Sequence, residues 1–457
     1  MARDTTDHTP LGSVSDMAAY LAEGSKPPAD FRMGTEHEKF AFFQADHSPV
    51  PYFGDRSISA LLKGMQEKLG WDPIMDGENV IGLGQHDGMG AISIEPGGQF
   101  ELSGAPVETL HQTCRESNQH LAVLREVAEP MGIRFLGIGG SPKWTLADTP
   151  VMPKSRYKIM SRYMPKVGSH GLDMMYRTCT IQVNLDFSSE ADMARKMQLS
   201  LKLQPLATAL FASSPFTEGR PNGLLSWRGE IWRDTDNARG GLMPKAFEPG
   251  FGFETYVEWA LDVPMYFIVR DGLYHDCTHI TFRQFMNGAL KGEVADWQPT
   301  QGDWTNHLGT LFPDVRLKRY LEMRGADGGP WRRICALPAF WVGLLYDDAA
   351  MAAAEEVTKA WTYADVLALR DAVPSKALKT EIAGRSLLDV ARDIISISTA
   401  GLKSRARLNS EGQDESLFLQ PLEEILAKKR VMAEDMLALY EGRWNGSVEP
   451  VFDEFQY

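Results

Sequence analysis

Cysteine is scarce: 457 residues hold four, Cys114, Cys179, Cys277 and Cys335, and no two form a C-x-x-C pair. That spacing argues against a zinc site and against the disulfide framework of a small secreted protein, so the thiols are expected to be reduced and largely buried. A basic surplus is absent too. The formal charge of -14 sets the surface against phosphate backbones and anionic lipids, so neither nucleic acid nor a membrane is an expected partner. No apolar run approaches the roughly 18 residues of a bilayer span. Met1 to Pro10 is polar and lacks the basic start and apolar stretch of a signal peptide, which makes the cytoplasm the expected compartment. Fixed-period repeats and low-complexity linkers are missing, so the chain does not demand separate domains.

Familiar catalytic strings are missing as well. There is no phosphate-binding P-loop, and Gly137-Ile138-Gly139-Gly140 lacks the third glycine of a dinucleotide fingerprint and reads as a tight turn. His37-Glu38 opens like a zinc-protease helix, but Ala41 stands where the second histidine belongs. No G-x-S-x-G elbow occurs.

What is present is acid at a period of two. Arg32 to Phe42, Ala91 to Ser103, Thr178 to Phe187 and Val315 to Arg324 alternate polar and apolar residues. Glu36 and Glu38, two apart on a pleated strand, point the same way about 7 Å from each other. Glu95, Gln99 and Glu101 share one parity; Thr180, Gln182, Asn184 and Asp186 share another; Tyr320, Glu322 and Arg324 repeat the pattern. Such a face repels itself unless cations sit on it, and an all-oxygen donor set suits Mg²⁺ or Mn²⁺ better than zinc. Carboxylates, a divalent cation and arginines together are the equipment of phosphoryl transfer, and Arg316, Lys318, Arg319, Arg324, Arg332 and Arg333 supply a local basic cluster for a small anion.

Helices are expected from Ser13-capped residues to Gly24, over Asp55 to Leu69, Val107 to Pro130 and Glu190 to Ala212, with a buried strand at Ile133 to Ile138. A strand from Asp262 to Arg270 meets a hairpin turn at Asp271-Gly272. Ala349 to Ala360, Tyr363 to Ala372, Ser386 to Thr399 and Leu417 to Glu441 read as helices. Irregular interleaving of strands and helices points to an α+β fold with an antiparallel-rich sheet: a catalytic body over residues 11–348 and a helical C-terminal region over 349–457, within one domain.

Gly34-Thr35-Glu36-His37-Glu38-Lys39-Phe40, the run Glu95 to Ser103, the stretch Met164 to Asp186 and the stretch Arg316 to Asp348 resemble the plant and proteobacterial type of glutamate-cysteine ligase, and the likeness extends from about Leu11 to Tyr457. The resemblance implies a glutamine synthetase-like fold, a curved antiparallel sheet forming a funnel flanked by helices. It implies that ATP phosphorylates the side-chain carboxylate of L-glutamate and that the amine of L-cysteine displaces phosphate, the first step of glutathione synthesis. By the same resemblance Glu36, Glu38, Glu95, Glu101 and Glu322 would hold Mg²⁺ or Mn²⁺, Glu36 and Arg324 would be catalytic, and Gln182, Asn184 and Arg324 would face the nucleotide. Arg177, Thr180, Arg228 and Trp331 would contact the amino acids. The implied partners are the three small substrates, with a monomer or homodimer as the assembly. Another ATP-dependent glutamate-amine ligase, or a non-catalytic binding protein that kept the fold, stays open as an alternative. Plant members carry a second cysteine soon after the position of Cys277, and Asn287 to Asp296 contains none. Cys114 and Cys335 match a second plant disulfide, which a reducing cytoplasm would leave open.

Overall fold

The alternation beginning at Met33 produces the longest strand, β1 (Met33–Phe43), and the rest of the sheet is assembled on it. A computed structural model describes residues 4–457. The other strands are β2 (Asp72–Asp76), β3 (Asn79–Gly84), β4 (Ala91–Ile94), β5 (Phe100–Ser103), β6 (Ile133–Leu136), β7 (Thr180–Leu185), β8 (Val315–Leu317) and β9 (Leu321–Asp327). Their order is β8-β9-β7-β1-β5-β4-β3-β2, with β6 paired to the C-terminal half of β1. Every pairing in this sheet is antiparallel.

Two of the alternating stretches fold back rather than running straight. Ala91 to Ser103 divides at Glu95-Pro96-Gly97-Gly98-Gln99, where the Glu95 amide donates to the Gln99 carbonyl and the Gly98 amide to the Glu95 carbonyl, each at 2.9 Å. Pro96 has no amide hydrogen for a ladder, and Gly98 takes φ +84°, a left-handed conformation that costs glycine little. Glu95 is thereby placed on a turn instead of a strand. Val315 to Arg324 divides at Lys318, whose amide donates to the Tyr320 carbonyl.

Helix Leu110–Ala128, capped by Thr109, covers the reverse side of β1, and helix Glu190–Phe211, capped by Ser189, backs β9. The Asp271-Gly272 turn forms as expected, both residues at positive φ, between Phe267–Arg270 and Leu273–Asp276. One apolar cluster runs from Met17 to Ala433 and includes Val183, Met323, Leu206, Phe340 and Ile394, so the C-terminal helices bury their faces in the same core as the sheet. The helix expected over Leu417 to Glu441 is broken into Gln420–Lys428 and Met432–Glu441 by Lys429 at φ 56°. The break lets Leu422 and Ile425 join the main core while Met436 packs with Phe40, Trp144 and Phe452, which one straight rod could not do.

Cys179 and Cys277 are buried free thiols, as expected. Cys114 and Cys335 are not: helices Leu110–Ala128 and Trp331–Leu345 bring their Cα atoms to 5.8 Å and the two are disulfide-bonded, correcting the all-reduced expectation.

Candidate active site

Antiparallel register lines up the acids of β1 with polar residues on both sides. Glu38 lies opposite Glu101 on β5, and Glu36 opposite Gln182 on β7. One strand further, Asn184 lies opposite Glu322 on β9, and Glu322 opposite Arg316 on β8. Like charges directly across a ladder repel, so the Glu38–Glu101 pair is a strained arrangement for the protein alone. Thr35, His37 and Lys39 take the other face of β1 by the same alternation, and there the Lys39 ammonium donates to the Phe100 carbonyl at 3.0 Å beneath the sheet.

The acidic face opens on two cavities. An inner chamber of about 110 Å³ is lined by Glu36, Glu38, Glu95 and Glu101 together with Thr180, Gln182, Arg156, Arg228, Arg316 and Arg324. A wider mouth of about 550 Å³ is lined by Lys26, Arg32, Asn184, Arg319 and Tyr320 and by the glycine-rich turn Gly84 to Gly90. Glu36 lines both.

Each carboxylate of the chamber has few partners. Glu36 accepts from Asn184 Nδ2 at 2.8 Å, Glu38 from the Thr180 amide at 3.0 Å, Glu95 from the Tyr157 hydroxyl at 3.3 Å, and Glu101 from Ser93 and Ser103. Burial, followed by the charges of Glu322 and Glu101, raises the pKa of Glu36. Burial, followed by Glu101 and Glu95, pushes Glu38 well above the usual carboxylate range despite Arg228 and the Thr180 amide. Among the described residues no three acidic, histidine or cysteine side chains converge as a preformed cage. The donor set nevertheless fits a hard divalent cation, because self-repelling carboxylates with spare lone pairs are the oxygens such an ion takes up.

Glu322 is placed differently from its expected role as a metal ligand. It is fully buried beneath the chamber, where Arg316 binds it bidentately at 2.7 and 2.8 Å, Lys318 approaches to 2.9 Å and Arg324 closes a third contact. Burial pushes its carboxyl up, but the three cations outweigh that and hold it well below the ordinary range. Both of its oxygens are thus engaged by Arg316, Lys318 and Arg324. Arg324 also donates to Gln182 Oε1 at 2.6 Å, which directs its guanidinium over the acidic face.

Thr180 and Arg228 line the chamber, and Arg228 Nη2 donates to the Arg324 carbonyl at 2.9 Å. Arg177 and Trp331 lie elsewhere. Arg177 is spent on Asp173, Glu218 and the Trp144 carbonyl, and Trp331 is a 38% exposed residue at the first turn of its helix. The basic cluster expected over Arg316 to Arg333 disperses, with Arg319 bound to Glu23 and Arg332 to Glu424. Arg156 and Tyr157, at the start of helix Ser155–Tyr163, and Trp232 and Phe312 complete the chamber without a sequence pattern that announces them.

The profile of glutamate-cysteine ligase family 2 (GCS2) matches residues 32–454. The chain belongs to that family. As a member of glutamate-cysteine ligase family 2 it is a ligase that forms γ-glutamylcysteine at the expense of ATP, the first step of glutathione synthesis. The chloroplastic glutamate-cysteine ligase of Nicotiana tabacum is 56% identical over 442 residues, covering 97% of this chain and 82% of the relative. That of Arabidopsis thaliana is 55% identical over 445 residues, with the same two coverages. A solved glutamate-cysteine ligase from Francisella tularensis, in complex with AMP, shares the fold at a TM-score of 0.57 and 13% identity, covering 93% of this chain and 89% of its own. The relatives at 54–56% identity are named chloroplastic, and on that finding the cytoplasmic expectation is corrected: their names point to the plastid.

Proposed function

We propose that the wide mouth takes the nucleotide and the inner chamber takes L-glutamate and L-cysteine, with reaction at the junction marked by Glu36. The observation that carries this reading is that Glu36 alone among the chamber acids lines both cavities. The mouth is lined by Lys26, Arg32 and Arg319, which nucleotide phosphates would draw from Asp186, Glu108 and Glu23, and by a backbone-rich glycine turn that can approach the phosphates closely. The chamber has Arg156 and Arg228 for carboxylates.

To Arg324, held by Gln182 and Glu322, this reading assigns the charge that builds up as the phosphoryl group passes to the side-chain carboxylate of glutamate. Arg228 and Arg156 orient that carboxylate, and Thr180 and Gln182 fix the chamber's polar wall. Water beside the acyl phosphate would hydrolyse it before the amine of cysteine attacks, so the two amino acids have to displace water from the chamber as they bind. Glu36, Glu38, Glu95 and Glu101 would hold Mg²⁺, which would supply charge neutralisation for the nucleotide phosphates.

ADP release measured with glutamate and a panel of amines tests the assignment. Turnover with cysteine, weaker turnover with 2-aminobutyrate and none with polyamines is expected. A preference for a polyamine would move the protein to a different glutamate-amine ligase.

A further inference from the structure

Ahead of the first helix, residues 4–11 are laid along Pro299 to Asn306. The Leu11 amide donates to the Pro299 carbonyl at 3.0 Å, the Gln301 amide to the Thr9 carbonyl at 2.8 Å and the Gly302 amide to the Asp7 carbonyl at 2.9 Å. Asn306 clasps Thr5 from both sides, its Oδ1 accepting the Thr5 amide at 2.8 Å and its Nδ2 donating to the Thr5 carbonyl at 3.0 Å. Gly302 is what admits this stretch. A Cβ there would stand 2.8 Å from the Asp7 backbone nitrogen and oxygen and 3.0 Å from the Thr5 carbonyl oxygen.

The docked stretch delivers Asp4. Its carboxylate takes Arg156 Nη1 at 3.3 Å and the Tyr274 hydroxyl, with the Asp4 and Arg156 side chains only 16% and 17% exposed. Phe267, from the same hairpin as Tyr274, lies 5.5 Å from the guanidinium. Arg156 also lines the inner chamber, and its Nε is buried with no hydrogen-bond partner. One side of this arginine is therefore tied from outside, while the residue forms part of the chamber wall.

We propose that residues 4–11 are a strap and that Asp4 is a positioning residue: by fixing the Arg156 guanidinium from behind, it sets the affinity of the chamber for the carboxylate of glutamate without touching that substrate. The inference rests on assigning the chamber to the amino acids. A long arginine side chain loses rotamer freedom when it engages a ligand, and a partner that has already ordered it removes part of that cost from the binding step. Tyr274 and Phe267 confine the same guanidinium, so the strap selects one orientation among few.

Steady-state kinetics on the full chain test this. Asp4→Asn is expected to raise KM for glutamate about fivefold, the worth of one partly exposed ion pair, while kcat, KM for ATP and the melting temperature stay at wild-type values. Asp4→Glu should restore most of the affinity, and Gly302→Val, which evicts the strap, should reproduce the Asp4→Asn effect. An unchanged KM for glutamate in Asp4→Asn overturns the strap, as does an equal rise in KM for ATP. A wild type that releases ADP with no dependence on glutamate overturns the chamber assignment, and the strap with it.

Discussion

The Glu322 carboxylate and the Arg316 guanidinium face each other across the β8–β9 hairpin, with Nη2 at 2.7 and 2.8 Å from the two oxygens and Nε at 3.2 Å. Both side chains are buried, so each has given up its water. Removing Arg316 would take from the buried carboxylate its bidentate partner and leave it only Lys318 and Arg324. Arg316→Met is expected to destabilise the fold by about 3–5 kcal/mol in urea denaturation. A loss below about 1 kcal/mol would mean that Lys318 and Arg324 suffice to hold Glu322.

Glu38 carries a pH signature. Its folded pKa is raised by burial and then by Glu101 and Glu95, so the folded state binds its proton more tightly than the unfolded state. The stability this contributes is fully present below the ordinary value of 4.5 and is lost as pH rises through the folded value. In metal-free protein Glu38→Gln should therefore melt on the order of a few degrees above wild type near pH 8, and the gap should close towards acid pH, while turnover falls. Thermal melts in EDTA across that range check it, and a lower melting temperature for Glu38→Gln at alkaline pH would contradict the reading.

Trp331 should be dispensable for catalysis. It lies outside both cavities, and Trp331→Ala is expected to leave KM for every substrate at its wild-type value, with stability changed by no more than about 0.5 kcal/mol. A specific rise in KM for cysteine would return this residue to the substrate pocket.

The Cys114–Cys335 bond closes 221 residues of sequence separation. A denatured chain carrying that loop is more compact, so non-reducing electrophoresis should show a faster band that dithiothreitol slows and that Cys335→Ser lacks. Identical mobility of oxidised and reduced wild type would contradict the bond.

Much of the sheet was legible because its signal is local. Alternation at Met33 to Phe43 and Thr180 to Leu185 fixes both the strands and the face their acids occupy, and Ser13, Ser189 and Gly70 mark helix ends by their own chemistry. The same alternation does not reveal a reversal of direction, so Glu95 read as a strand residue until Pro96 and Gly98 turned the chain beneath it. Parity placed Glu322 on the polar face correctly but said nothing of Arg316 and Lys318 closing over it from the neighbouring strand and turn. Arg156 was invisible for a related reason. Its role depends on Asp4, Tyr274 and the chamber meeting at one point, and those contacts span up to 270 residues of sequence.

The central claim is that the acidic face of β1 is where the nucleotide's metal and the glutamate carboxylate meet. ADP release with glutamate, cysteine and Mg-ATP, compared between wild type and Glu36→Gln with circular dichroism as the fold control, tests it most directly. The substitution removes one charge, keeps an oxygen for Asn184, and should lower turnover about a hundredfold or more with the spectrum unchanged. Turnover of Glu36→Gln within about twofold of wild type would contradict the account.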